Sequence, residues 1–270
     1  MIVNNKQIPD KTISQLVDDI KSKKELSGIE DFFVKSEMLK IISYSRKYAD
    51  FLSSTLSKKS KIYREIIKKT RAVLRKSVGV FIIAEKTKDF EKLLFGHESA
   101  KERFGAYPEL YRKIFEVTGE PKSILDLGCG LNPLSYNFLG ARPKYFAVDI
   151  SSLIIEIVKD FFAKDKIAGK AEMINLREIK NKKLNLPKAD ICFMFKLLDS
   201  IEMEKGHKLA EKLIKEVDCR WIAASFSTKT ISGKKMNHPY RGWVEQMCRR
   251  LGYFYEILEF ENEIFYLIRK

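Results

Sequence analysis

Between Ser123 and Asp149 the chain runs through a short apolar segment, Ser-Ile-Leu-Asp-Leu, a Gly128-Cys129-Gly130 loop, a helical stretch, and a second apolar segment that ends near an acid. This is the feature that most constrains the fold. Two strands joined through a helix lie parallel, and parallel strands are stable only in a sheet covered by helices. The glycines let the backbone turn sharply after the first strand and approach a ligand with no side chain intervening. The loop lacks the third glycine of a dinucleotide fingerprint and the Gly-Lys-Ser/Thr of a phosphate loop, which argues against nicotinamide and nucleoside triphosphate ligands. Asp149 stands 19 residues beyond Gly130. From there a carboxylate reaches both ribose hydroxyls of a nucleoside lying across the strand ends. The same acid would also suit the first turn of a helix starting near Ser151.

Further strands are expected at 171–175, 189–195 and 219–226, separated by helical segments, and the alternation extends the parallel sheet. The segments 253–260 and 263–269 are separated only by Glu261-Asn262, so they read as a terminal antiparallel hairpin. Five parallel strands closed by a hairpin is the strand inventory of a Rossmann-like methyltransferase sheet, whereas nicotinamide-binding folds usually finish on another parallel strand. The front of the chain has few glycines or prolines. Ile13, Leu16, Val17 and Ile20, then Phe33, Met38, Leu39 and Ile42, then Tyr48, Phe51 and Leu52, repeat at helical spacing. The expectation is an α/β protein with an all-helical domain over 1–95 and a Rossmann-like domain over 96–270.

The net charge of +15 points to a polyanionic partner. It is concentrated in Lys58, Lys59, Lys61, Arg64, Lys68, Lys69, Arg71, Arg75 and Lys76, interrupted by one acid, Glu65. Ile62, Ile66, Ile67, Val73 and Leu74 form an apolar stripe on the same segment, so one face packs while Lys61, Arg64, Lys68, Arg71 and Arg75 line another. RNA phosphates suit that face; an ordinary solvated surface or a membrane surface would suit it too. No stretch approaches the ~20 apolar residues of a membrane span, and the opening residues lack a signal-peptide pattern, which places the chain in the cytoplasm. Cys129, Cys192, Cys219 and Cys248 form no Cys-x-x-Cys pair, so neither a metal site nor a disulfide framework is expected.

The stretch LDLGCGLNPL, preceded by His97-Glu98-Ser99-Ala100-Lys101-Glu102-Arg103 and followed by Phe195-Lys196-Leu197-Leu198 and Ser225-Phe226, resembles the aminoglycoside-resistance 16S ribosomal RNA guanine-N7 methyltransferases. The order and spacing of the motifs hold over roughly residues 74–270. The resemblance implies a class I fold, S-adenosylmethionine as cofactor, and 16S rRNA in the small ribosomal subunit as partner of a monomeric enzyme, the target being N7 of a decoding-site guanine. It implies that Arg103 holds the methionine carboxylate of the cofactor, with His97, Glu98 and Ser99 along the same molecule. Gly128 would pass the methionine moiety, Asp149 would hold the ribose, Asn175 and Leu176 would frame the adenine, and Phe81 would cover the cofactor from the helical side. Phe195 and Lys196 would end the strand facing the target, and Lys196 and Glu202 match positions tied to target engagement. Lys229, Lys234 and Lys235, in a basic loop, would approach the RNA.

The chain departs from the family pattern at Ala100, Asn175 and Ser227, the last standing where the family has proline, and its 232–240 loop is about two residues shorter. Alternatives to guanine N7 are another rRNA or tRNA base, or a ribosome-associated factor that keeps the fold without transferring methyl. Attack by N7 uses a lone pair and releases no proton, in keeping with the lack of an obvious His-carboxylate catalytic pair. His207, read as part of a surface helix, and His238, in a loop, are expected to have bland roles, and Trp221 and Trp243 to pack.

Overall fold

The computed structural model describes residues 2–4, 6–23, 26–27, 29, 31–43, 45–54, 57–87, 90, 93–94, 103–202, 206–229 and 235–270, with the side chains of 2, 32, 33, 76–87 and 153 excepted. The chain divides into two compact units, Met1–Lys88 and Asp89–Lys270.

The first unit packs helices α1 (Asp10–Lys21), α2 (Asp31–Ser43), α3 (Arg46–Ser53) and α4 (Lys61–Thr87). Their apolar stripes meet in one core, where Leu16, Ile20, Met38, Ile42, Leu52, Ile66 and Leu74 are fully buried. The stripe at Ile62, Ile66 and Leu74 is thus what anchors the basic segment, and burial of such side chains, worth about 1.5–3 kcal/mol each, is what fixes α4 in this unit. A two-residue ladder, β1 (Ile2–Val3) against β2 (Lys6–Gln7), joins the helices. Strands that short carry no readable alternation, so the helical periodicity alone was legible.

The second unit contains a seven-stranded sheet. Its strands are β3 (Ser123–Leu127), β4 (Lys144–Asp149), β5 (Gly169–Met173), β6 (Ala189–Phe195), β7 (Cys219–Ser227), β8 (Phe254–Phe260) and β9 (Glu263–Arg269). The order is β5-β4-β3-β6-β7-β9-β8, parallel as far as β7 and antiparallel over the last two pairings. The order reverses between β3 and β6, the switch point outside which ligands bind in open α/β sheets. Helices α5 (Tyr107–Thr118), α6 (Ser152–Lys164), the short α7 (Leu198–Ile201), α8 (Lys208–Glu216) and α9 (Gly242–Leu251) complete the unit. The β9 sequence Ile264–Ile268 is buried along its whole length, which is why it reads as a continuous apolar run rather than an alternating one.

Two local differences from the sequence reading have physical causes. The segment after the glycine loop is a 3-10 helix, Asn132–Phe138, instead of an α-helix, with Pro133 in its first turn and Asn132 tied back to Asp126. His207 lies just before α8, in left-handed backbone at φ 53°, and stacks on Trp243 with ring centroids 4.3 Å apart. Among the described residues no helix is long and apolar enough to cross a membrane.

Candidate active site

The carboxyl ends of β3, β4 and β6 place the loop, Asp149 and the Phe195-Lys196 pair on one rim of the sheet. Gly128 has φ +61°, a conformation that calls for glycine, and a Cβ there would stand 2.5 Å from Leu197 Cδ1, whose side chain would have to shift. The loop is braced from both sides. Gly130 N donates to Asp149 Oδ2 at 2.9 Å, and Ser151 N donates to Asp149 Oδ1 at 2.9 Å. Of the two expected uses of Asp149, the contact with Ser151 at the helix start is present, and the bond to Gly130 in the loop is a third that the sequence did not suggest. Each of its oxygens keeps a further lone-pair site, which two ribose hydroxyls could fill.

Beneath the loop lies a buried polar network that the sequence reading missed. Tyr145 donates to Asp126 Oδ2 at 2.7 Å and Asn132 Nδ2 donates to the same oxygen at 2.9 Å, while Tyr111 and Ser135 hydroxyls pair at 2.6 Å. Burial pushes the Asp126 carboxyl up to about 6, against the two hydrogen bonds and Arg103, which favour the anion. Burial likewise raises the Tyr111 and Tyr145 hydroxyls, which stay protonated and available as donors. The signal in the sequence was the Asn-Pro after the loop, whose partner could not be inferred because Asp126 and Tyr145 meet it only across two strands.

Arg103 is buried. Its Nε donates to Glu263 Oε2 at 2.8 Å and its Nη2 to Glu263 Oε1 at 2.7 Å, a side-on fork. Burial opposes the charged guanidinium, and the Glu263 carboxylate more than offsets this, leaving the group well above its ordinary value. The guanidinium also covers the Phe195 ring at 5.0 Å. Next to it, burial raises the Tyr107 hydroxyl above its ordinary value, Arg103 opposing this in part, and among the described residues that hydroxyl has no hydrogen-bond partner of normal geometry. Lys196 has φ 52° and stands with Nζ 3.8 Å from Glu263 Oε2. Glu263 is thus a site residue that the sequence reading passed over as the first residue of a strand. An acid at a turn looks solvated until β9 is known to run through the interior.

Other expected residues divide sharply. Asn175 Oδ1 accepts from Arg177 N at 3.1 Å, capping the 3-10 turn Leu176–Lys180 and leaving its amide donors for a ligand, and Leu176 is buried. Glu202 accepts from Ala210 N at 2.8 Å and so caps the first turn of α8. His97, Glu98, Ser99, Lys234 and the side chains of Phe81 and Lys76 lie outside the described residues. Ser227, in the proline position, donates to Lys229 O at 2.8 Å and accepts from Lys229 N at 3.2 Å, and Lys229 pairs with Lys235 in an isolated antiparallel bridge. Lys235 is exposed, and Lys229 lies 3.9 Å from Glu261.

On α4, Lys61, Arg64, Lys68 and Arg75 are exposed. Arg71 instead donates to Ile20 O at 3.1 Å and Ser22 Oγ at 2.9 Å, Lys58 pairs with Asp19 at 2.9 Å, and Lys69 pairs with Glu65 at 3.0 Å. The basic stripe therefore contains both internal fasteners and outward charges, a division that helical spacing cannot reveal.

A family model described as ribosomal RNA methyltransferase (FmrO) matches residues 58–267. The chain belongs to this family. A 16S rRNA (guanine(1405)-N(7))-methyltransferase of Proteus mirabilis is 35% identical over 148 residues, covering 53% of this chain and 50% of the relative, so the chain spans about half the length of that relative. A protein of the same name from Serratia marcescens is 26% identical over 256 residues, covering 87% of this chain and 98% of the relative. The crystal structure of 16S rRNA methyltransferase RmtF in complex with S-adenosyl-L-homocysteine has the same fold, with a TM-score of 0.62 at 17% identity, over 97% of this chain and 99% of that one. Fold and family therefore agree with the expectation drawn from the LDLGCGLNPL loop and its flanking motifs.

Proposed function

We propose that the chain transfers a methyl group from S-adenosylmethionine to N7 of a decoding-site guanine in 16S rRNA. The observation that carries this reading is the donor set on one sheet rim, with a buried guanidinium, Arg103, beside Phe195 and a ribose-competent carboxylate, Asp149, bound to the glycine loop. An adenosyl amino acid presents the matching groups. Arg103 would take the carboxylate, Asp149 the ribose hydroxyls, and Asn175 with Leu176 the adenine; the Tyr107 hydroxyl, unpartnered among the described residues, fits a polar group at the amino-acid end. When bound, the sulfonium supplies an electrophilic methyl carbon.

The protein's part is alignment. N7 loses no proton, so no side chain has to act as base, and holding the base, the methyl carbon and sulfur in line can supply about 7–11 kcal/mol. Phe195 and Lys196 close the strand end against which the guanine would be held, and Glu202 supports that region by capping α8. The helical unit would serve RNA docking by presenting Lys61, Arg64, Lys68 and Arg75 to phosphates, and Lys229 and Lys235 would add charge on the sheet unit. Relatives named for this reaction support the choice of atom and substrate. The test is incorporation of label from S-adenosylmethionine into small ribosomal subunits, followed by primer-extension mapping of the modified nucleotide. Tight cofactor binding with no incorporation would refute the assignment to that substrate.

A further inference from the structure

The Arg103–Glu263 pair continues beyond its fork. The Ser225 hydroxyl donates to Glu263 Oε1, and Ser225 Oγ in turn accepts from Lys196 N at 3.0 Å. Lys196 N also reaches Ser225 O at 3.1 Å, so two acceptors of one serine hold a non-glycine residue in left-handed backbone. Such a conformation is strained for a non-glycine residue and persists only where its surroundings impose it. Glu263, Ser225 and Arg103 are all buried. One carboxylate thereby links the arginine at the cofactor's amino-acid end to the strained turn at the target end.

Arg103 and Lys196 both approach the Glu263 carboxylate. The Glu263 fork uses the Nε and Nη2 side of the guanidinium, so a second carboxylate would pair with it end-on. A buried fork restricts the guanidinium to one plane, so the end-on edge is aimed before any ligand arrives.

Resting on the methyl-donor reading above, we propose that Glu263 is a positioning residue that sets Arg103 for the cofactor carboxylate and, through Ser225, sets the Lys196 turn for the target base. It touches neither reactant and acts through the two residues that do.

The test separates geometry from charge. Glu263→Asp keeps the charge and shortens the reach by one methylene, so fork and serine contact cannot both survive. Calorimetry with purified full-length protein should show S-adenosylhomocysteine bound at least about tenfold more weakly by the variant, as expected for loss of a charge-assisted hydrogen bond. Methylthioadenosine, which lacks the amino-acid end, should bind parent and variant equally. Equal losses for both ligands, or none for either, would overturn the positioning role. Ser225→Ala removes the hydroxyl that bridges Glu263 to Lys196 N and keeps both bonds of the Arg103 fork: it should change S-adenosylhomocysteine affinity far less than Glu263→Asp does and lower kcat on small ribosomal subunits about tenfold, with KM for the cofactor little altered. An unchanged kcat would remove the target-side half of the proposal. If the parent protein itself fails to bind S-adenosylhomocysteine, the methyl-donor reading falls first. If the parent binds it and Glu263→Asp binds it equally well, only the inference falls.

Discussion

Replacing Asp126 by asparagine should make the sheet unit more stable at neutral pH and abolish a pH dependence that the parent protein carries. Asp126 is buried beneath the glycine loop, and its carboxyl is pushed from 3.8 up to about 6. The folded protein therefore holds this proton more tightly than the unfolded chain. The stability from that preference is complete below the unfolded value and is lost as pH rises through about 6. A difference of about 2 pH units corresponds to about 3 kcal/mol, the cost of keeping the anion buried at neutral pH. Asparagine at this position can still accept from Tyr145 and Asn132 through its carbonyl oxygen. Its own amide hydrogens find no assigned acceptor, which costs about 1–3 kcal/mol at every pH and shifts the curve without tilting it. The slope is thus the diagnostic quantity. Urea unfolding followed by tryptophan fluorescence reports the correct unit, since the chain has 2 tryptophans and both, Trp221 and Trp243, belong to it. Stability of Asp126→Asn relative to the parent should climb by about 3 kcal/mol from below about pH 4 to pH 7. A flat difference would refute the reasoning, because it would mean that Tyr145 and Asn132 fully compensate the anion for its burial.

Asp149→Ala should weaken S-adenosylhomocysteine binding by at least about tenfold in calorimetry, since hydrogen bonds to a charged acceptor are lost on the ligand and on Gly130 N; unchanged affinity would rule out the ribose role. Gly128→Ala places an L residue at φ +61° and a Cβ against the mobile end of Leu197, so a loss of about 1–3 kcal/mol is expected in urea unfolding, and a neutral result would show that the loop relaxes. Charge reversal of Lys61, Arg64 and Lys68 should weaken binding to small ribosomal subunits and reduce the slope of log K against log salt by about 2–3, leaving cofactor affinity alone. A parallel loss of cofactor affinity would instead indicate damage to the fold.

Local periodicity and turn chemistry were sufficient for most of the architecture. The strands at 123–127, 189–195 and 263–269 sit where their apolar runs end, and the Glu261-Asn262 turn makes the closing hairpin. Expected β5 residues are displaced toward Gly169 because the register against Tyr145, a long-range choice, sets where that edge strand begins. The candidate site was foreshadowed to the extent that its members share motifs with the loop: Gly128, Asp149, Arg103 and Phe195-Lys196 lie together in the sheet unit.

What the Ser123–Asp149 sequence determined by itself was a parallel sheet with a ligand loop, because strand spacing and glycine conformation are properties of neighbouring residues. Tertiary structure alone decided which charges stay at the surface and which serve the fold. Arg71 looked like a member of the phosphate stripe and is fastened to α1; Glu263 looked like a turn acid and is the buried partner of Arg103, 160 positions away. Both outcomes depend on burial, and burial is set by what packs against a residue from distant parts of the chain. A carboxylate in water and a carboxylate between two strands are the same letter with different solvation, and only the packed sheet distinguishes them.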